Sequence, residues 1–142
     1  MLISQILRTK GDMVFTIAPA ASLADACALL RERRVGALVV REGAGPVLGI
    51  LSERDVVRAA AEGAAALHRP VRDCMTGEVV FADPSEAVDA LLERMTDRRF
   101  RHLPVCQGDR LMGIVSIGDL VKAKIDATQA EADGLKAYIA AG

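Results

Sequence analysis

The chain has 142 residues, enough for one compact domain of ordinary size with a real core. Apolar residues make up 51% but aromatics only 3%, three Phe and one Tyr, so the core must be built from Ala, Val, Leu and Ile. Eighteen basic against nineteen acidic residues leave a net charge of −1. That balance, with no interleaved aromatics, excludes nucleic acid as an expected partner.

Residues 1–15, MLISQILRTKGDMVF, contain no apolar run long enough for a signal peptide or a membrane span. A cytoplasmic location is expected, with no membrane partner. Cys27, Cys74 and Cys106 are odd in number, widely spaced and form no CxxC pair, which reads as buried reduced thiols.

In chain order, a short extended piece is expected at 14–17, ending at Pro19. An amphipathic helix follows over 22–33, then two short apolar strands at 37–40 and 47–51, and a second helix starting at Ser52. Residues 59–70, AAAEGAAALHRP, read as a helix end and linker, with His68 facing solvent. The same order then returns: an extended piece at 78–81, a helix over 85–97, strands at 102–106 and 111–115, and a helix starting at Ser116.

This is a repeat. With Pro19 set on Pro84, SLADACALLRERRVGALVV falls on AVDALLERMTDRRFRHLPV, and Arg33 and Arg34 match Arg98 and Arg99. Upstream, ISQIL (3–7) resembles VRDCM (71–75) at a slightly different offset, a loop-length difference of the kind chains tolerate. Two copies are too few for a solenoid. A closed pair of β-α-β-β-α units packed about a pseudo-twofold is the economical α/β architecture, divided as 1–66, 67–125 and a C-terminal helix extension at 126–142. In that extension Val121, Ile125, Thr128, Ala132, Leu135 and Ile139 step by 4 and 3, the spacing of a narrow packing seam, with Gly134 interrupting. The seam packs either on its own domain or on a second copy.

The most specific repeated feature is Gly-x-x-Ser-x-x-Asp: GILSERD at 49–55 and GIVSIGD at 113–119. A serine followed three residues later by an acid is a capping box, and a plain capped helix explains it. The same geometry also suits a nucleotide. A helix N-terminus with a serine hydroxyl, Ser52 or Ser116, seats phosphate. An acid one turn in, Asp55 or Asp119, accepts from ribose hydroxyls. Gly49 and Gly113 leave the strand edge bare for a base. The helix-end arginines are explained by the helix dipole. Arg101 and His102 at a strand start, Arg54 in the turn, and Lys10 before the first strand are candidates to reach a polyphosphate.

The doubled motif, the RFRHLPV segment and VRDCMT at the start of the second half together resemble the tandem CBS-domain (Bateman module) family, in particular small stand-alone bacterial CBS pairs. The resemblance covers residues 1 to about 125. It implies two CBS units with ligand clefts between them that take AMP, ADP, ATP, NAD or S-adenosylmethionine. In those clefts Ser52 and Ser116 would lie on phosphate and Asp55 and Asp119 on ribose. The base would lie against Gly36, Ala37 and Leu38 or against Arg101, His102 and Leu103. It also implies a homodimer that regulates a partner protein. The first copy departs from the family pattern, with Val39 in ALVV where HLPV has Pro104, so one competent site or two unequal ones are expected. No cluster of metal-ligand spacing, Walker A loop or nucleophile–base arrangement is present. A non-catalytic nucleotide sensor is therefore expected; the alternative is a structural dimer with vestigial clefts acting through its C-terminal helix.

Overall fold

The computed structural model describes residues 1–141. The chain forms a mixed α/β fold of two compact units. One is contiguous, Met13–Val80; the other joins Met1–Asp12 to the chain from Phe81 onward. By contact, the first dozen residues group with the second repeat. Gly142, the last residue of the expected extension, lies outside the described residues.

The contiguous unit holds β1 (Thr16–Ile17), α2 (Leu23–Arg33), β2 (Ala37–Val40), β3 (Gly49–Ser52), α3 (Glu53–Ala60), a 3₁₀ turn at Ala64–His68 and α4 (Val71–Cys74). Its sheet runs β1-β2-β3, with β1 parallel and β3 antiparallel to β2. Leu23, Ala26 and Leu30 of α2 recur at helical spacing and pack on Leu38, Val40 and Leu51. Ser22 caps α2 by accepting from the Asp25 amide. His68 is exposed, as expected.

The discontinuous unit holds α1 (Ile3–Lys10), α5 (Val88–Arg98), β4 (His102–Gln107), β5 (Arg110–Ser116) and α6 (Ile117–Ala141). Strands β4 and β5 are antiparallel. Its buried side chains include Ile3 and Ile6 of α1, Leu91 and Met95 of α5, and Leu103 and Val115 of the sheet.

The strand expected at 78–81 is reduced to a single parallel bridge, Ala82 to Val105. In the first copy the Val39 amide donates to the Phe15 carbonyl and the Arg41 amide to Ile17. In the second, Cys106 donates to Ala82 in the manner of Arg41, but Pro104 stands in the place of Val39 and has no N–H to give. The helix expected from Ser85 starts at Val88. Its preceding residues form a turn, with the Ser85 amide and hydroxyl both donating to Asp83 Oδ1 at 2.8 and 2.6 Å. Both α2 and α5 end on an arginine in the left-handed region, Arg34 (φ 55°) and Arg99 (φ 58°). The cysteines are half-buried, not fully buried as expected.

The two leading segments dock in the same way. In the contiguous unit Val71 N donates to Ala21 O (2.7 Å), Arg72 N to Pro19 O (3.0 Å), and Leu23 N to Arg69 O (2.9 Å). In the other unit Ile3 N donates to Glu86 O (2.9 Å), Ser4 N to Pro84 O (2.9 Å), and Val88 N to Met1 O (3.0 Å). Each segment thus completes the repeat that it does not precede. Fully buried Ile3 is consequently core to the second repeat, and Ile3→Ala should cost about 2–5 kcal/mol. Hydrogen exchange should show amides of β4 and β5 losing protection first. Unchanged β4 and β5 amides would contradict the docking.

Candidate functional site

Each Gly-x-x-Ser-x-x-Asp motif closes a hairpin and opens a helix. Register pairs Ala37 with Ser52 and His102 with Ser116, so each serine sits where its strand turns into α3 or α6. The first amide of each helix is taken by the carbonyl of the residue just before the paired strand: Glu53 N donates to Gly36 O (3.0 Å) and Ile117 N to Arg101 O (2.8 Å). Gly36 and Arg101, near which a base was expected, thus also hold the helix start.

Both capping boxes form. Ser52 N donates to Asp55 Oδ2 at 3.0 Å and Asp55 N to Ser52 Oγ at 3.4 Å. Ser116 N donates to Asp119 Oδ2 at 2.8 Å and Asp119 N to Ser116 Oγ at 3.1 Å. Beyond the caps the two aspartates differ. Asp55 is only 5% exposed, and both of its oxygens are engaged. Oδ2 also accepts from Ser52 Oγ (3.2 Å), while Oδ1 accepts from Thr76 Oγ1 (3.5 Å) and pairs with Arg58 (3.5 Å). Asp119 keeps 26% of its side chain exposed. Its ion pair is with Lys10, whose Nζ lies 2.6 Å from Oδ2 and also donates to the Ile114 carbonyl at 2.9 Å. Burial pushes the Asp119 carboxyl up, but the Lys10 hydrogen bond and charge, with the Ser116 amide and hydroxyl, outweigh it and hold the group below its ordinary value.

The glycines serve packing within each unit. A Cβ on Gly49 would lie 2.5 Å from Met75 Sδ and 2.7 Å from the Thr76 carbonyl, which pairs with Ile50. A Cβ on Gly113 would lie 2.7 Å from Leu7 Cδ2. The strand edges expected to lie open to a base are therefore covered by the leading segments. Leu7, Met75, Thr76 and Arg58 were not singled out as site residues. The ISQIL–VRDCM match, which aligns Leu7 with Met75, was the signal that could have found two of them.

Of the other candidates, Arg54 is exposed on the first turn of α3, and Arg101 is exposed before β4. Ala37, Leu38 and Leu103 are buried, while Gly36 and His102 are half-buried. Lys10 lies on Asp119, in the same unit. Among the described residues no group of three or more His, Cys, Asp or Glu is placed to hold a metal ion, and no helix is long and apolar enough to cross a membrane.

Residues 4–62 and 71–126 match the CBS domain family, so the chain belongs to that family as a tandem pair. The crystal structure of the CBS-domain containing protein ATU1752 from Agrobacterium tumefaciens superposes with a TM-score of 0.85. Its identity is 44%, over 87% of this chain and 99% of that one. The CBS domain-containing protein YhcV of Bacillus subtilis is 31% identical over 82% of this chain and 83% of its own length. The CBS domain pair of protein MJ0100, solved in complex with 5′-methylthioadenosine and S-adenosyl-L-methionine, shares the fold. Its TM-score is 0.79 and its identity 23%, over 89% of this chain and 98% of that one.

Two outcomes follow from these contacts. Gly49→Ala should destabilise by about 1–3 kcal/mol, because a backbone carbonyl cannot move aside, and Gly113→Ala should cost less, because a leucine methyl can. Urea titration of both gives the order, and equal costs would refute it. Second, a carboxyl whose pKa is lowered on folding stabilises the fold above its ordinary value, and that contribution is lost as pH falls through the lowered one. The urea midpoint should therefore drop less between pH 6 and pH 3 in Lys10→Gln than in the parent. An identical drop would show that Lys10 does not hold the carboxyl down.

Proposed function

We propose that this CBS pair is a non-catalytic regulatory module of the cytoplasm. In this reading it binds an adenine nucleotide (AMP, ADP, ATP or NAD) at the start of α6 and passes its occupancy, as a homodimer, to a partner protein. The observation that carries the reading is the difference between the two aspartates. Asp119 stands at the head of a long helix, partly exposed, with its cap and lysine bonds on Oδ2. Oδ1 is then the oxygen offered to ribose hydroxyls, and the Ser116 hydroxyl proton, at the positive end of α6, is offered to phosphate. Lys10 supplies a positive charge beside the same seat. Asp55 is buried with both oxygens engaged, so the first copy contributes a structural cap and the ligand goes to the second.

Calorimetry of the whole chain with AMP, ATP, NAD and S-adenosylmethionine tests this. Saturable heat with at least one of them is expected. Asp119→Ala should weaken binding at least tenfold while leaving the fold intact, since losing a cap partner costs only about 1 kcal/mol. Asp55→Ala should instead act mainly on stability. Ser116→Ala should lose more affinity for ATP than for adenosine. Folded protein that gives no heat with any ligand would leave a structural or interaction role, and an Asp119→Ala protein that binds as tightly as the parent would remove the ribose assignment.

A further inference from the structure

Helix α6 runs unbroken through Gly134 for 25 residues, yet the only residue it buries is Leu120. Its contact with its own unit is made on one side, where Leu120 is covered and Lys124 pairs with Asp89 of α5 at 2.9 Å. The seam lies about a quarter turn away. There Val121 is 43% exposed, Ile125 61%, Leu135 61% and Ile139 68%. Of the two partners expected for this seam, its own unit therefore does not cover it. A helical extension of this length with no tertiary contact is marginal in water, and four large apolar side chains in a line require a partner.

We infer that the seam is a docking surface for the same seam of a second copy of this chain, aligned in parallel as a short two-stranded coiled coil. The seam residues and their flanking charges select this occupant. With Ile125, Ala132 and Ile139 at one core position and Val121, Thr128 and Leu135 at the other, β-branched residues meet β-branched residues and Leu meets Leu. Of these, Ile125 and Ile139 at the first position with Leu135 at the second follow the pattern of parallel pairs. The flanking positions are Lys122, Gln129 and Lys136 on one side, and Lys124, Glu131 and Tyr138 on the other. In parallel, Glu131 faces the partner's Lys136, and by symmetry this attraction occurs twice. In the antiparallel alignment that stacks the same six layers, Lys122 faces the partner's Lys136 and Glu131 faces the partner's Glu131. Those contacts are repulsive. Gly134 stands outside both sets, so its missing side chain costs the seam nothing. With Thr128 and Ala132 at its centre, the pairing is weak and depends on concentration. This inference does not rest on nucleotide binding.

Sedimentation equilibrium of the full chain over a concentration series tests it. The parent should be a dimer in reversible exchange with monomer. Leu135→Asp with Ile139→Asp should raise the dissociation constant at least a hundredfold, with thermal unfolding like the parent's at concentrations where the parent too is monomeric, because both side chains are exposed within the single chain. Glu131→Lys alone should weaken the dimer about tenfold, and adding Lys136→Glu should restore it. A monomeric parent, or a double aspartate variant that dimerises like the parent, overturns the surface. A Glu131→Lys dimer as tight as the parent, or one that Lys136→Glu fails to restore, overturns the parallel alignment.

Discussion

Everything in this chain depends on two short segments that each lie against a glycine in the other repeat. Residues 1–4 and 69–72 form matching sets of three backbone hydrogen bonds with the start of α5 and of α2. The following side chains, Leu7 and Met75, then sit where Gly113 and Gly49 have no Cβ. Backbone pairing sets the register and the glycines admit the depth, so neither works without the other. This docking is what completes each unit. A lone copy would leave a strand edge uncovered and a helix start without partners.

The same segments make the two motifs unequal. Met75 is followed by Thr76, whose hydroxyl meets Asp55, whereas the segment carrying Leu7 ends at Lys10, whose ammonium meets Asp119. A hydroxyl and the exposed Arg58 guanidinium, on a buried carboxylate with both oxygens engaged, make a closed cap. A cation beside a partly exposed one makes a charged seat. The repeated sequence is identical at Gly, Ser and Asp, so the divergence is imposed from outside the motif. For the same reason the two copies are not read as equivalent ligand sites.

Much of this architecture was legible in the chain. Apolar spacing marked α2 and α5, alternating apolar runs marked the hairpins, and the serine–acid pairs marked the starts of α3 and α6, because each signal is local. What was not legible depends on distant partners. The missing strand at 78–81 needed Pro104 to be read as a lost donor for a residue some two dozen positions upstream. Gly49 and Gly113 looked like openings for a ligand because nothing nearby in sequence hinted at Met75 or Leu7 lying on them. Lys10 was singled out for phosphate, and its bond to Asp119 spans over a hundred residues. The grouping of residues 1–12 with the second repeat was hidden in the ISQIL–VRDCM match, which shows similarity but not which copy each segment joins.

The discontinuity of one unit has a consequence for how the chain comes off the ribosome. Met13–Val80 is uninterrupted, so its strands and helices can close on one another as soon as they emerge. Residues 1–12 emerge earlier still but have nothing to bind until α5, β4 and β5 have been made. During that interval Ile3, Ile6 and Leu7 are an apolar segment without its packing partners. The last contacts to form are between the first and latest parts of the chain, the non-local kind that slows folding most. The contact of Lys10 with Asp119 therefore waits until the second repeat has been made.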